Sequence, residues 1–415
     1  MISTLLLSCS LELDYQVITC QVLQFSDDLF NEPEVVLSCL GIALNLVLAL
    51  KGIDYRKLNI RISNYPPIRI NSLNPTLVGR FVAICGTVLQ VGNVRQFVTQ
   101  MRFECTKCKS TQLKHMKDAR YKLPASCTSR NCESRSFTPD RESEDTISFD
   151  MQRIKIQEDY NEFEDITMIK GSIYCELYDD LVTTVMPGDI VNVTGILSGV
   201  NLEQKQGKMI NSIYVLKLKV VHIESMDRSS LEHDLTVSEE DKKMFSEIAR
   251  MDDLFNVLIK SMCPLVFGQG LVKAGLLLAL FGGNGAAQSK REVGNNLQIL
   301  IVGDPGIGKT QLLTAVNNLA PRGIYVSGAS TTKADLTASL NHETGSDYSI
   351  KAGALVLADR GCCLIDEFDK FQDQSCLLES MELQRVSIAK NGVVCSLPSR
   401  TSIIAASNPA SGHYK

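Results

Sequence analysis

The tightest constraint on this 415-residue chain is the stretch Gly303-Asp304-Pro305-Gly306-Ile307-Gly308-Lys309-Thr310, set between the apolar run LQILIV and the helix-prone QLLTAVNNLA. G-x-x-x-x-G-K-T between a strand and a helix is the pattern of a phosphate-binding loop. Its glycines let the backbone curl until the N–H groups face an anion, and the helix start, with Gln311, adds the positive end of its dipole. Lys309 is then placed to reach the β- and γ-phosphates of ATP, and the Thr310 hydroxyl to ligate Mg²⁺. Strand-like and helix-like stretches alternate after LQILIV, which implies a parallel sheet flanked by helices.

Two further apolar runs end in polar groups. GCCLIDE reads as a Walker B strand that carries Asp366 to the Mg²⁺ shell and Glu367 to the attacking water. Asp-Glu after a strand is also a common solvated turn, and the phosphate loop is what gives it meaning. TSIIAASNP is the third run, and Asn408 at its end is placed to sense the γ-phosphate, where alone it would merely cap a strand before Pro409.

Fourteen cysteines in a chain without a secretory signal imply reduced thiols and an intracellular location. Cys105-x2-Cys108 and Cys127-x4-Cys132 are spaced to wrap one structural Zn²⁺ with four thiolates. His115 lies between the pairs and reads as a surface histidine. From Arg102 to Arg141 ten basic residues face four acidic ones, which favours a polyanion nearby or else makes a solvated basic face. The whole chain carries a net charge of −5, so it does not coat nucleic acid by bulk electrostatics. No apolar run is expected to reach the roughly 18 residues of a bilayer span, and Val35 to Leu50, broken by Ser38, Gly41 and Asn45, reads as a buried amphipathic helix. No membrane partner is expected.

The expected fold is therefore multidomain, α+β and α/β. A helical subdomain covers 1–72, and an OB-type β-barrel covers 73–223 with the zinc-bearing insertion at 103–137. An exposed linker covers 224–243, and the P-loop α/β domain covers 244–415. Two hairpins expose lysines: Gly199 to Ile213, with Lys205 and Lys208 near Gly207, and Val386 to Leu397, with Lys390 before the Asn391-Gly392 turn.

Taken together, GDPGIGKT, LIDEFDK, the SIAK hairpin, AASNP and the order barrel, zinc insertion, ATPase resemble a minichromosome maintenance (MCM) helicase subunit over nearly the whole chain. KNGVVCSLPSRTSIIAASNPASGHYK and the C-x2-C with C-x4-C pairing are most similar to the family's eighth paralogue, which acts with the ninth in homologous recombination and crosslink repair. The resemblance implies a nuclear AAA+ DNA helicase in a hexameric ring with other MCM-type subunits, the ninth paralogue among them, on single-stranded or forked DNA. It assigns Lys390 to a presensor hairpin in the pore, Lys205 and Lys208 to an N-terminal pore hairpin, and the region from Leu340 to Ile350 to a helix-2 insertion. In the family an arginine finger, a fifth strand and a helical lid follow the sensor asparagine. They lie beyond Lys415, so this AAA+ domain is expected to be incomplete and LQILIV to be a sheet edge. The alternative reading is a non-catalytic DNA-binding and assembly module, or an inactive short form. An AAA+ metal chelatase leaves the barrel and the zinc arm unexplained.

Overall fold

The computed structural model describes residues 10–409 apart from 23, 52–58, 117–122, 130–131, 133, 142, 144, 159–169, 202–213, 227–238, 252, 284–295 and 343–347. The chain starts with β1 (Ser10–Asp14), α1 (Tyr15–Gln21), α2 (Phe25–Asn31), α3 (Pro33–Leu50) and β2 (Asn59–Ser63). The Asp14 carboxylate caps α1 by accepting the Gln16 N–H at 2.8 Å, and Pro33 opens α3, where no intrahelical N–H is required. The sequence reading of 1–72 as a helical subdomain is corrected here, because β1 and β2 form a parallel ladder. The apolar alternation of NIRIS drives this: Ile60 and Ile62 join Phe25, Leu29 and Phe81 in one core.

Helix α3 is the second correction. It is expected to be buried, yet only Pro33 and Leu48 are, while Ile42, Leu46 and Leu50 are exposed. Val36, Leu37 and Leu40 seat one face on the core beside Phe25. With 18 residues the helix is long and apolar enough to cross a membrane by length and composition, because Ser38, Gly41 and Asn45 interrupt it without charge.

The barrel strands are β3 (Phe81–Val91), β4 (Arg95–Cys105), β5 (Thr111–His115), β6 (Phe137–Asp140), β7 (Ile147–Gln157), β8 (Ser172–Tyr178), β9 (Ile190–Asn201) and β10 (Tyr214–Ser225). Five of them run in the order β3-β9-β10-β8-β7, and β7 returns to β3 and closes the barrel. All these pairs are antiparallel except β8–β10. Inward residues of each strand, among them Val82, Ile84, Ile154, Leu177, Leu197 and Leu218, fill the interior. The far end of β4 leaves the barrel and carries β5 and β6, which form the cysteine arm.

Next come α4 (Glu239–Ala249), α5 (Leu254–Met262) and α6 (Gly270–Phe281), then β11 (Ile299–Val302), α7 (Lys309–Leu319), β12 (Gly323–Ser327) and α8 (Lys333–Leu336). The chain continues through β13 (Ala338–His342), β14 (Tyr348–Ala352), α9 (Ala354–Leu357), β15 (Cys362–Asp366), α10 (Ser375–Leu383), β16 (Arg385–Lys390), β17 (Val393–Pro398) and β18 (Ser402–Ser407). A parallel sheet of order β11-β18-β15-β12 lies at the centre. Both faces of β15 are covered: Leu364 faces Leu276, Leu313 and Val316, while Cys363 and Ile365 face Leu355 and Leu377. This is why its sequence is apolar from Cys362 to Ile365 rather than alternating. Among the described residues β11 has one sheet neighbour, β18, and exposes Leu300.

The hairpin β13–β14 lies against the barrel, with Ile350 opposite Val91 and the Gln90 side chain bonded to Ser349. Arg322 donates to the Gly188 carbonyl of the barrel and to the Asp359 carbonyl beside the four-stranded parallel sheet.

Closure of the barrel generates a test. A Cβ at Gly86 would stand 2.3 Å from the Gln157 carbonyl oxygen, which is backbone and cannot swing away. Gly86→Ala is expected to cost about 1–3 kcal/mol of barrel stability, read as an earlier denaturant or thermal midpoint of β-sheet circular dichroism.

Candidate functional site

Strand β18 lies between β11 and β15, so the carboxyl ends of three parallel strands meet at one edge of the sheet. Val302 pairs with Ser407, which sets the phosphate loop beside Asn408, and Asp366 ends the strand on the other side. Ligands of open parallel sheets bind at such carboxyl ends.

The loop itself is curled as its glycines require. Gly306 and Gly308 have φ of 86° and 88°, in the left-handed region where a Cβ is strained, and Gly308 caps α7. Pro305, Gly306, Gly308, Lys309, Thr310 and Gln311 line one side of an open cleft of about 340 Å³, and Asp366, Glu367 and Asn408 line the other. Gly303 and Asp304 instead turn their carbonyls to Lys309, whose ammonium donates to them at 2.5 and 2.8 Å and to Asn408 Oδ1 at 3.0 Å. Ile307 is exposed beside Gly303. The lysine is thus held in the loop by oxygens that a phosphate oxygen can replace.

Asp366 is buried, and its carboxylate accepts three hydrogen bonds: from Thr310 Oγ1 at 2.8 Å, from the Tyr325 hydroxyl at 2.9 Å and from the Glu367 N–H at 2.8 Å. Burial, and then the bond to Asp366, push the Tyr325 phenol up to about 12, so it stays a donor at neutral pH. A hydroxyl and a carboxylate brought together in this way are hard oxygen ligands and fit Mg²⁺. Glu367 has a φ of 51° and turns away from the strand, so that Oε1 takes the Lys370 ammonium at 2.9 Å. Asp369 Oδ1 accepts the Asn408 N–H at 3.0 Å and joins the end of β18 to the turn after β15.

Sequence reasoning missed Tyr325, Asp369 and Lys370. Asp369 and Lys370 sit inside the quoted LIDEFDK, but their roles need the fold of the turn. Tyr325 carries a weak signal: in GIYVS it shares a strand face with Ser327, the partner of Asp366.

A second cluster lies on the arm. The Sγ atoms of Cys105, Cys108, Cys127 and Cys132 are all within 4.8 Å of one another, with Cys105–Cys132 at 3.8 Å and Cys108–Cys127 at 3.5 Å. A tetrahedral tetrathiolate zinc with Zn–S of about 2.3 Å has sulfurs about 3.8 Å apart, so the four thiols fit it. The Cys108 backbone N–H is the first cause that lowers the Cys105 thiol to about 6. His115 lies outside the quartet, at the end of β5. Met101, Phe103, Met116 and Phe137 pack beneath the thiols.

Of the lysines singled out in the sequence, Lys390 is exposed at the end of β16, before a two-residue turn. Asn391 and Gly392 both have positive φ, 51° and 78°, as the tight hairpin demands. Val386, Ile388 and Leu397 of this hairpin share a core with Ala338 and Ala352 of β13–β14. The two hairpins are therefore one packed unit. Residues 343–347 of that insertion, and Lys205 and Lys208 between β9 and β10, lie outside the described residues.

The description MCM P-loop domain matches residues 241–415, and MCM OB domain matches residues 69–201. A human protein described as DNA helicase MCM8 is 38% identical over 434 residues, which cover 96% of this chain and 52% of that protein. A Xenopus laevis protein of the same description is 39% identical, covering 94% of this chain and 51% of its own length. An Arabidopsis thaliana protein described as a probable DNA helicase MCM8 is 37% identical, covering 98% and 55%. The chain spans about half the length of these curated relatives.

The ammonium at the centre of the cleft makes a simple expectation. Lys309→Ala removes a charged hydrogen bond and should weaken binding of a fluorescent nucleoside triphosphate roughly 10- to 100-fold. Unchanged affinity would show that the triphosphate does not lie on this loop.

Proposed function

Because this chain belongs to the MCM family, we propose that it is the motor-bearing part of an ATP-dependent DNA helicase subunit. The observation that carries this reading is the meeting of Lys309, Thr310, Asp366, Glu367 and Asn408 in one cleft at the carboxyl ends of adjacent parallel strands.

The backbone of the phosphate loop and the Lys309 ammonium hold the β- and γ-phosphates of ATP, exchanging the oxygens of Gly303, Asp304 and Asn408 for those of the nucleotide. Thr310 and Asp366 would hold Mg²⁺, which would supply positive charge against the triphosphate. Glu367, once released from Lys370, orients the attacking water and accepts its proton. Asn408 lies against the γ-phosphate position and is tied through its backbone N–H to Asp369, so loss of the phosphate is felt in the turn after β15. β16–β17 reaches β18 through a short link, and the Lys390 hairpin shares a core with β13–β14. A shift of these elements can move Lys390 along a DNA phosphate backbone. Lys205 and Lys208 are proposed as further phosphate contacts on the barrel.

The four-thiol cluster supports a structural zinc on the arm, where it would hold together a segment that has only a small apolar core of its own. Assembly into a hexameric ring with other MCM-type subunits, the ninth paralogue in particular, is proposed along with action in recombination and repair within the nucleus. The similarity to proteins described as DNA helicase MCM8 supports that finer placement.

DNA-stimulated ATP turnover, measured with a second MCM-type subunit present, tests the motor. Glu367→Gln is expected to lower turnover about 10²- to 10⁴-fold while ATP binding persists; equal turnover in the variant sinks the assignment. Lys390→Ala should reduce the slope of log affinity against log salt for single-stranded DNA by about 0.7, the loss of one phosphate contact. Metal analysis should find about one zinc per chain, lost in Cys127→Ser; a metal-free chain with intact thiols argues against the centre.

A further inference from the structure

The Asp366 carboxylate owes its orientation to three donors of different origin. Thr310 belongs to the phosphate loop and would itself ligate Mg²⁺, and the Glu367 N–H belongs to the turn that carries the catalytic carboxylate. The third donor, the Tyr325 hydroxyl, comes from neither segment. It stands on β12, where Ser327 pairs with Asp366 and Tyr325 with Leu364, so Tyr325 and Asp366 lie diagonally across two bonded strands on one face. The ladder between β12 and β15 thus sets the 2.9 Å contact, with no part of it supplied by the phosphate loop. Asp366 is only 9% exposed, so water cannot readily replace a lost donor.

Resting on the nucleotide reading above, we propose that Tyr325 is a positioning residue: its hydroxyl pins the Asp366 carboxylate in the direction that favours the metal-bound form of the nucleotide. Tyr325 is not among the residues that line the cleft, and its action passes through Asp366.

Metal-linked nucleotide binding tests this on the 415-residue chain. A methylanthraniloyl-labelled ATP is titrated in EDTA, and its binding is then followed against rising Mg²⁺ for the parent and for Tyr325→Phe, which keeps the ring and removes only the hydroxyl. The expected result is a roughly 10-fold higher Mg²⁺ midpoint in the variant, as for loss of a hydrogen bond to a metal-site ligand, with unchanged affinity in EDTA. An unmoved midpoint overturns the proposal, and so does an equal loss with and without Mg²⁺, since that marks general damage to the cleft. A parent chain that binds no labelled ATP at all fails the nucleotide reading itself, a different result from a responsive parent with an indifferent variant.

Discussion

Parallel pairing of β18 between β11 and β15 is the constraint on which the cleft depends. Each of these strands ends in a different polar device: a curled loop with an ammonium, an amide, and a pair of carboxylates. Hydrogen bonding along the sheet fixes their relative heights to within the spacing of one residue. The Lys309–Asn408 and Thr310–Asp366 bonds are consequences of that register, since they join residues 99 and 56 positions apart in the chain. Burial of both sheet faces, with Leu364 on one side and Ile365 on the other, holds the register against slippage.

Polar and backbone links join the barrel to the second α/β unit. Arg322 follows α7, immediately before β12, and bonds a barrel carbonyl, while β14 adds two residue pairs to the edge of β3. Asp189 beside this contact is pushed above the ordinary carboxylate range, chiefly by burial and against the pull of Arg322. The Lys390 hairpin packs on β13–β14, the same hairpin that pairs with β3 of the barrel.

The two clusters differ in what makes them rigid. Cys105 stands at the end of β4 and the other three thiols in turns and loops over a few apolar side chains, so four ligands around one metal would add order there. The oxygens of the cleft are held by a four-stranded parallel sheet and by α7.

How much of this was legible follows from chemistry written locally. GDPGIGKT, GCCLIDE, TSIIAASNP and the two cysteine pairs each carry their signal within a dozen residues, because backbone curl, strand ends and chelate spacing are short-range properties. The helical reading of 1–72 failed at NIRIS, a strand whose partner SLELD lies far back in the chain, and the burial of α3 was misjudged because apolar composition does not say what covers a helix. Tyr325, Asp369 and Lys370 became visible only when β12 was laid against β15 and the turn after Asp366 was bent through a left-handed residue. The amino-acid order alone determined which groups can hold phosphate, metal and water. Strand pairing over long sequence separations decided which of them face one another, because a diagonal contact across a ladder depends on register, and register is set by the burial of the whole sheet.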